Sequence, residues 1–247
     1  MNTNKQVLLI TDLDNTLVGN NLATRKLNQY LCTHRKNYIL VYATGRSYNS
    51  AKQLMLDQEL LDPNYWITGV GTEIYAQDQL DFVWANKISV DWNRSAIATF
   101  VTGQFPQLKL QVKEEQNPWK LSFNLLDDFG TIEQLVYSLQ ASQLKAQVVF
   151  SSNVDVDVLP VNANKGNAVQ YLQNKLGIAA NRTLVCGDSG NDISMFQQSA
   201  YGVIVNNAQI ELIEWYQAHA DEHHYFAKNA YASGIFEALQ KFELLIN

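Results

Sequence analysis

Four consecutive apolar residues, Val7 to Ile10, run directly into Thr11-Asp12-Leu13-Asp14, the pattern of a strand buried on both faces of a parallel sheet. The pattern recurs at Tyr38 to Ala43, Tyr65 to Val70, Thr183 to Cys186 and Tyr201 to Val205. Helical spacing fills the intervals. Leu22, Ala23, Leu27, Tyr30 and Leu31 mark one helix, and a second runs from Ser47, placed to cap it, through Leu61. Further helices are predicted over Gly166 to Leu176, Asp192 to Gln198, Gln209 to His219 and, after a short Tyr225-Phe226, Ser233 to Ile246. Alternation of this kind predicts an α/β fold with a doubly wound, mostly parallel sheet.

The alternation breaks in the middle. Glu73 to Ala76 and Asp81 to Trp84 read as a hairpin. There follow a helix (Val90 to Gln104), strands Leu108 to Val112 and Trp119 to Leu125, a helix (Thr131 to Leu144), and strands Gln147 to Ser151 and Val154 to Leu159. This α-β-β order, given twice, predicts a small antiparallel sheet with helices on one face. The expected organisation is a Rossmann-like core in two parts, residues 1–84 and 160–247, split by an inserted α+β cap, 85–159.

Composition narrows the classes. Apolar residues are 47% and charged residues 17%, values of a globular chain, and a net charge of -6 lacks the basic footprint of a nucleic-acid binder. The N-terminus, Met1 to Gln6, and the short apolar run after it do not make a signal peptide, and no stretch approaches a membrane span. Cys32 and Cys186 form no framework, and Cys186 sits in an apolar strand, so a reducing cytoplasm is the expected compartment. His34, His219, His223 and His224 lack metal-ligand spacing, and the aromatic group around Trp215 and Tyr225 reads as core packing.

What remains is chemistry at strand ends, where open α/β sheets bind ligands. In an extended segment Asp12 and Asp14 would share a side while Leu13 points away. Two neighbouring carboxylates either share a proton or bind a cation. Thr44 follows the second strand as a hydroxyl donor, and Gly45 lets backbone amides approach an anion. Lys165 opens a helix, where the dipole disfavours positive charge unless a phosphate is present. Gly187-Asp188-Ser189-Gly190-Asn191-Asp192 offers a tight turn and hard oxygen ligands suited to Mg²⁺. Each could be an ordinary turn or cap, but together they place one kind of chemistry on one rim.

Asp12-Leu13-Asp14-Asn15-Thr16, Thr44-Gly45-Arg46, Lys165-Gly166 and the Gly187 to Asp192 loop resemble the four motifs of the haloacid dehalogenase superfamily of aspartyl phosphatases. Within it, Gln116-Asn117-Pro118-Trp119-Lys120-Leu121-Ser122-Phe123, Asp155-Val156-Asp157-Val158-Leu159-Pro160 and Lys165 to Leu172 resemble the sucrose-6-phosphate phosphatase family. The resemblance implies hydrolysis of sucrose 6-phosphate with Asp12 as nucleophile, Asp14 as acid and base, and Thr44, Gly45 and Lys165 on the phosphate. It implies Mg²⁺ on Asp12, the Asp14 main-chain carbonyl and Asp188, with Asp192 behind them. It implies sugar contacts from Arg46, Glu73, Asn117, Lys120, Asp155, Asp157 and Asn191. Competing readings are a phosphatase of another sugar phosphate, such as a mannosyl phosphoglycerate, a phosphomutase, and a non-catalytic partner of sucrose-phosphate synthase. Neither nucleic acid nor membrane is expected as a partner.

Overall fold

The computed structural model describes residues 6–126 and 130–245; the sequence expectations for residues 1–5 and for the helix end at Ile246 lie outside the described residues. In chain order the strands are β1 (Val7–Thr11), β2 (Tyr38–Ala43), β3 (Tyr65–Thr68), β4 (Glu73–Ala76), β5 (Gln79–Leu80), β6 (Leu108–Leu110), β7 (Leu121–Leu125), β8 (Gln147–Ser151), β9 (Asp155–Leu159), β10 (Thr183–Gly187), β11 (Tyr201–Ile204) and β12 (His224–Phe226). The helices are α1 (Asn21–Thr33), α2 (Tyr48–Asp57), α3 (Phe82–Ile88), α4 (Arg94–Gln104), α5 (Gly130–Ala141), α6 (Lys165–Leu176), α7 (Ile193–Phe196), α8 (Ile210–His219) and α9 (Tyr231–Lys241).

One sheet has the order β12-β11-β10-β1-β2-β3-β4-β5, parallel from β12 to β3 and antiparallel beyond. The alternation of β1 explains why its apolar run is unbroken. Val7 and Leu9 join a core with Leu27 and Leu31 of α1 and Ile235 and Leu239 of α9. Leu8 and Ile10 face the other layer, with Leu172 of α6 and Leu212 of α8. The fold is the doubly wound α/β sheet that the pattern predicts, with a second, antiparallel sheet of order β6-β7-β9-β8. That sheet has its own core, in which Ile97, Val101, Phe123, Leu135 and Val156 are buried.

Several boundaries differ from the sequence expectations. Ser47 holds the cap position of α2 but makes no side-chain capping bond, and the helix ends at Asp57 instead of continuing to Leu61. Glu59 takes φ +51° and Leu60 N–H bonds back to Met55 C=O, which closes the helix. The hairpin's second arm is β5, because Gln77 and Asp78 both have positive φ and make a two-residue turn. Asp81 is therefore a helix cap, its carboxylate accepting from the N–H groups of Val83 and Trp84 at 3.0 and 3.1 Å. Trp84 is buried, and its indole donates to the Gly71 carbonyl at 3.0 Å, so α3 packs on the large sheet. The helix expected from Val90 starts at Arg94, where the Asn93 side chain caps it.

Candidate active site

β1 stops at Thr11, and Asp12 N–H donates across to the Cys186 carbonyl of β10 at 3.0 Å. The chain then turns widely through Leu13–Leu17, with Asn15 at φ +58°. Leu13 and Leu17 are drawn into the core while Asp14 comes to the cavity. The two aspartates thus share a space because of this turn, not by alternation along an extended strand.

Lys165 is fully buried, and its ammonium lies 2.8 Å from Asp12 Oδ1 and 2.7 Å from Asp192 Oδ1. Asp192 Oδ2 accepts from the N–H groups of Asp188 and Ser189, and Asp188 Oδ1 accepts from Thr16 Oγ1 at 2.7 Å. Three distant segments are so tied into one network. Gly71, at φ +93°, permits the approach of the peptide that opens α6, since a Cβ there would meet the Asn164 carbonyl carbon at 2.2 Å.

Burial pushes the Asp12 carboxyl well above its ordinary range, with Lys165 opposing and Asp192 and Asp188 adding to the rise. Asp188 is pushed up to about 7 by burial and by the Asp192 charge. Burial disfavours the Lys165 ammonium, but the Asp12 and Asp192 carboxylates outweigh it and raise its pKa. Asp12, Asp188 and Asp192 each offer an oxygen within 4.8 Å of the others, a set that could hold a metal ion.

Thr44 is buried and its hydroxyl oxygen accepts from Arg46 N–H at 3.2 Å. The Arg46 guanidinium grips both oxygens of Asp14, at 2.7 and 2.8 Å. Above these groups is a cavity of about 520 Å³, whose core wall includes Asp12, Asp14, Thr44, Gly45, Asp188 and Asn191. Its opposite wall is the face of the small sheet that carries Lys120, Ser122, Asn124, Asp155 and Asp157. Lys120 is 3% exposed, and its Nζ donates to the Gly45 carbonyl at 3.0 Å and lies 3.7 Å from Asp157. Burial and the Asp157 charge raise the pKa of Asp155, which accepts from Gln111 at 2.9 Å.

Two expected sugar contacts lie elsewhere. Glu73 and Asn117 line a neighbouring cleft of about 700 Å³ with Tyr48 and Tyr75. Asn117 donates to Thr72 Oγ1 and accepts from Trp119 N–H, while Glu73 accepts from Thr68 Oγ1 at 3.1 Å. Lys165 and Asp192 stand behind the cavity wall, reaching it through Asp12 and Asp188. Sequence reasoning missed Gln111, Asn124 and Ser151 as cavity residues. Asn124 was findable: it continues the Lys120 and Ser122 alternation, and the register sets Ser122 opposite Asp157 and Asn124 opposite Asp155.

Residues 5–243 match the family model for sucrose-6F-phosphate phosphohydrolase. The chain belongs to that family. Sucrose-phosphatase 1 of Nicotiana tabacum is 36% identical over 257 residues, covering 97% of this chain and 60% of the relative. The chain therefore spans about three fifths of the length of that plant relative. Mannosylfructose-phosphate phosphatase of Agrobacterium fabrum is 32% identical, covering 96% of this chain and 97% of the relative. The X-ray structure of the sucrose-phosphatase from Synechocystis, in complex with sucrose and phosphate, superposes with a TM-score of 0.94 at 48% identity, covering 97% of this chain and 98% of that one. A haloacid dehalogenase subclass IIB sugar phosphatase shares the fold, at TM-score 0.66 and 18% identity over 97% of this chain and all of that one. The superposition with the Synechocystis structure spans both the parallel core and the antiparallel second sheet described above.

Proposed function

We propose that this protein hydrolyses sucrose 6-phosphate to sucrose and phosphate with Mg²⁺, through a phosphoryl group carried on Asp12. The observation that carries this reading is Asp12 itself: a buried carboxylate held by Lys165 at 2.8 Å, at the edge of a cavity whose far wall is rich in sugar-binding group types. Similarity to the Synechocystis protein, whose structure holds sucrose and phosphate, supports the substrate.

In this reading an Asp12 oxygen forms a bond to phosphorus as the bond to the sugar oxygen breaks. Asp14, whose two oxygens both accept from Arg46 in this state, gives a proton to the departing sugar once that ion pair has opened and the carboxylate has taken one up, and later takes one from the water that releases phosphate. Lys165 fixes the attacking carboxylate, and Thr44 and the Gly45 amide hold the transferring oxygens. The buried carboxylates of Asp12 and Asp188 fit a hard cation, because each is costly to ionise without one. They would hold Mg²⁺ together with the Asp14 main-chain carbonyl, and the ion's charge lets a dianionic phosphate approach Asp12. Asp192, occupied by Lys165 and two amides, would support the site from behind.

The substrate-binding role falls to Arg46, Lys120, Asp155, Asp157 and Asn191, which line the cavity; Glu73 and Asn117, in the adjoining cleft, would act at its margin. Carboxylates and amides accept and donate to hydroxyls, as an uncharged disaccharide requires. A second reading, a phosphorylated mannosylfructose, is favoured by the Agrobacterium relative of equal length. We place the activity in the cytoplasm, next to a sucrose-phosphate synthase that would supply the substrate; both cysteines are free, Cys32 exposed and Cys186 buried. Among the described residues no helix is long and apolar enough to cross a membrane. Phosphate release from sucrose 6-phosphate, mannosylfructose phosphate, glucose 6-phosphate and fructose 6-phosphate, with and without Mg²⁺, tests the proposal. Sucrose 6-phosphate should be cleaved most efficiently and only with metal; equal rates on the monosaccharide phosphates would refute it.

A further inference from the structure

Helix α8 touches the carboxylate-rich loop and the small sheet at the same time. Gln209 N–H, just before the helix, donates to the Asp188 carbonyl at 2.7 Å. Glu211, in the first turn, accepts with one oxygen from two amides: Gly190 N–H at 3.2 Å and Ser152 N–H at 3.0 Å. Gly190 belongs to the core loop, whereas Ser152 lies at the tip of the β8–β9 hairpin. That tip is a tight turn, with Ser152 and Asn153 at φ +55° and +58°. A Cβ on Gly190 would meet the Phe150 carbonyl oxygen at 2.4 Å, so only glycine lets the hairpin approach this closely. Asn191 adds a longer contact to Ser151 Oγ at 3.4 Å. Ser151 and Ser152 form part of the cavity wall, so this junction closes the cavity on that side.

The second oxygen of Glu211 is buried and has no hydrogen-bond partner among the described residues. A buried carboxylate oxygen without a donor is unfavourable and calls for an explanation. Opening the junction would return that oxygen and the Ser152 amide to water. The bond gained on closing is therefore opposed by lost hydration, which leaves the closed state favoured only modestly, on the order of tenfold. A closure that must release product on every turnover needs a preference that small.

We propose that Glu211 is a positioning residue, a reversible latch that holds the cap hairpin 150–153 on the Gly190 loop and closes the cavity over the sugar. Its effect on turnover rests on the sugar-phosphatase reading, but the contact itself does not. Hydrogen exchange on the full-length chain, without metal or substrate, tests the contact directly. In Glu211→Ala the amides of 150–153 should exchange roughly tenfold or more faster than in the wild type, the factor expected for loss of a charge-assisted hydrogen bond. Glu211→Gln, which keeps an acceptor oxygen, should fall between. Unchanged exchange in β10 reports an intact fold. Equal exchange of 150–153 in wild type and Glu211→Ala overturns the proposal, as does loosening confined to residues 188–191. In turnover, efficiency on sucrose 6-phosphate should fall about tenfold through KM, matching the loss of closure. A loss carried by kcat with KM unchanged overturns the latch. A wild type that cleaves no sugar phosphate refutes the phosphatase reading and leaves the exchange result to decide on Glu211.

Discussion

Replacing Lys165 by methionine keeps a chain of similar length and removes the charge shared by Asp12 and Asp192. Both carboxylates are then buried without their cation, 5% and 0% exposed. Removing one partner of a buried pair costs about 3–5 kcal/mol, because the remaining charge is left uncompensated. For a chain of this size that is a fall in Tm of roughly 6–20 °C. The cost depends on pH, and its sign follows from linkage. Burial already raises the Asp12 pKa, and Lys165 is the group that lowers it. Without Lys165 the folded state binds protons more tightly than the unfolded state, whose aspartates titrate near 3.9. Stability is therefore lost as pH rises above about 4, by up to about 1.4 kcal/mol per pH unit for each carboxylate concerned. The deficit of Lys165→Met against the wild type should be largest at pH 8 and smaller by about 1.5 kcal/mol or more at pH 5. Urea unfolding of both proteins at the two pH values measures it. A deficit that is the same at both, or below about 1 kcal/mol at pH 8, would mean that the network is hydrated or dispensable.

Asp12→Asn keeps the shape and can still accept from Lys165, so it should fold with a near-native Tm while phosphate release falls by roughly 10⁴-fold or more; normal turnover would refute covalent catalysis. With Asp188 titrating at about 7, its burial cost grows as pH rises from about 4 to 7, and Mg²⁺ should relieve it. Binding at pH 6 should then release one proton or more, because burial also raises Asp12, the other carboxylate that would hold the ion, and fewer at pH 8, where Asp188 is already ionised, as read by calorimetry in buffers of different ionisation enthalpy; no release at pH 6 would sink this assignment. Lys120→Ala should lower efficiency on sucrose 6-phosphate about tenfold or more, the scale of a charged hydrogen bond of ~1.5 kcal/mol, and steady-state kinetics unchanged within twofold would remove Lys120 from the site.

The unbroken apolar runs and the helical spacing between them suffice to predict the parallel sheet, because a strand buried on both faces has no other economical composition. The carboxylates at the ends of β1 and β10 are equally legible: their placement after apolar strands puts them at the sheet's ligand-binding edge whatever the details of packing. The α-β-β pattern likewise predicts the antiparallel second sheet. Local turn chemistry was harder to read. The left-handed Gln77-Asp78 turn and the capping role of Asp81 moved an expected strand into helix α3, since a short apolar segment such as Phe82-Val83-Trp84 suits either state.

Only the tertiary structure decided which of these groups meet. Lys165 stands 153 residues from Asp12 in the chain, and its burial between two aspartates follows from how closely α6 approaches β1 and β10, not from any local signal. The same holds across the cavity. Lys120 reaches the Gly45 carbonyl while Asn117, three residues earlier, is held by Thr72 and faces the neighbouring cleft. Glu211 had no motif to mark it, because its partners are backbone amides, which every residue except proline offers, and only the packing of a hairpin against a loop sets two of them around one oxygen. Sequence periodicity specifies elements and the edge where chemistry sits; side-chain partnerships between distant segments depend on distances that the chain acquires only once it is packed.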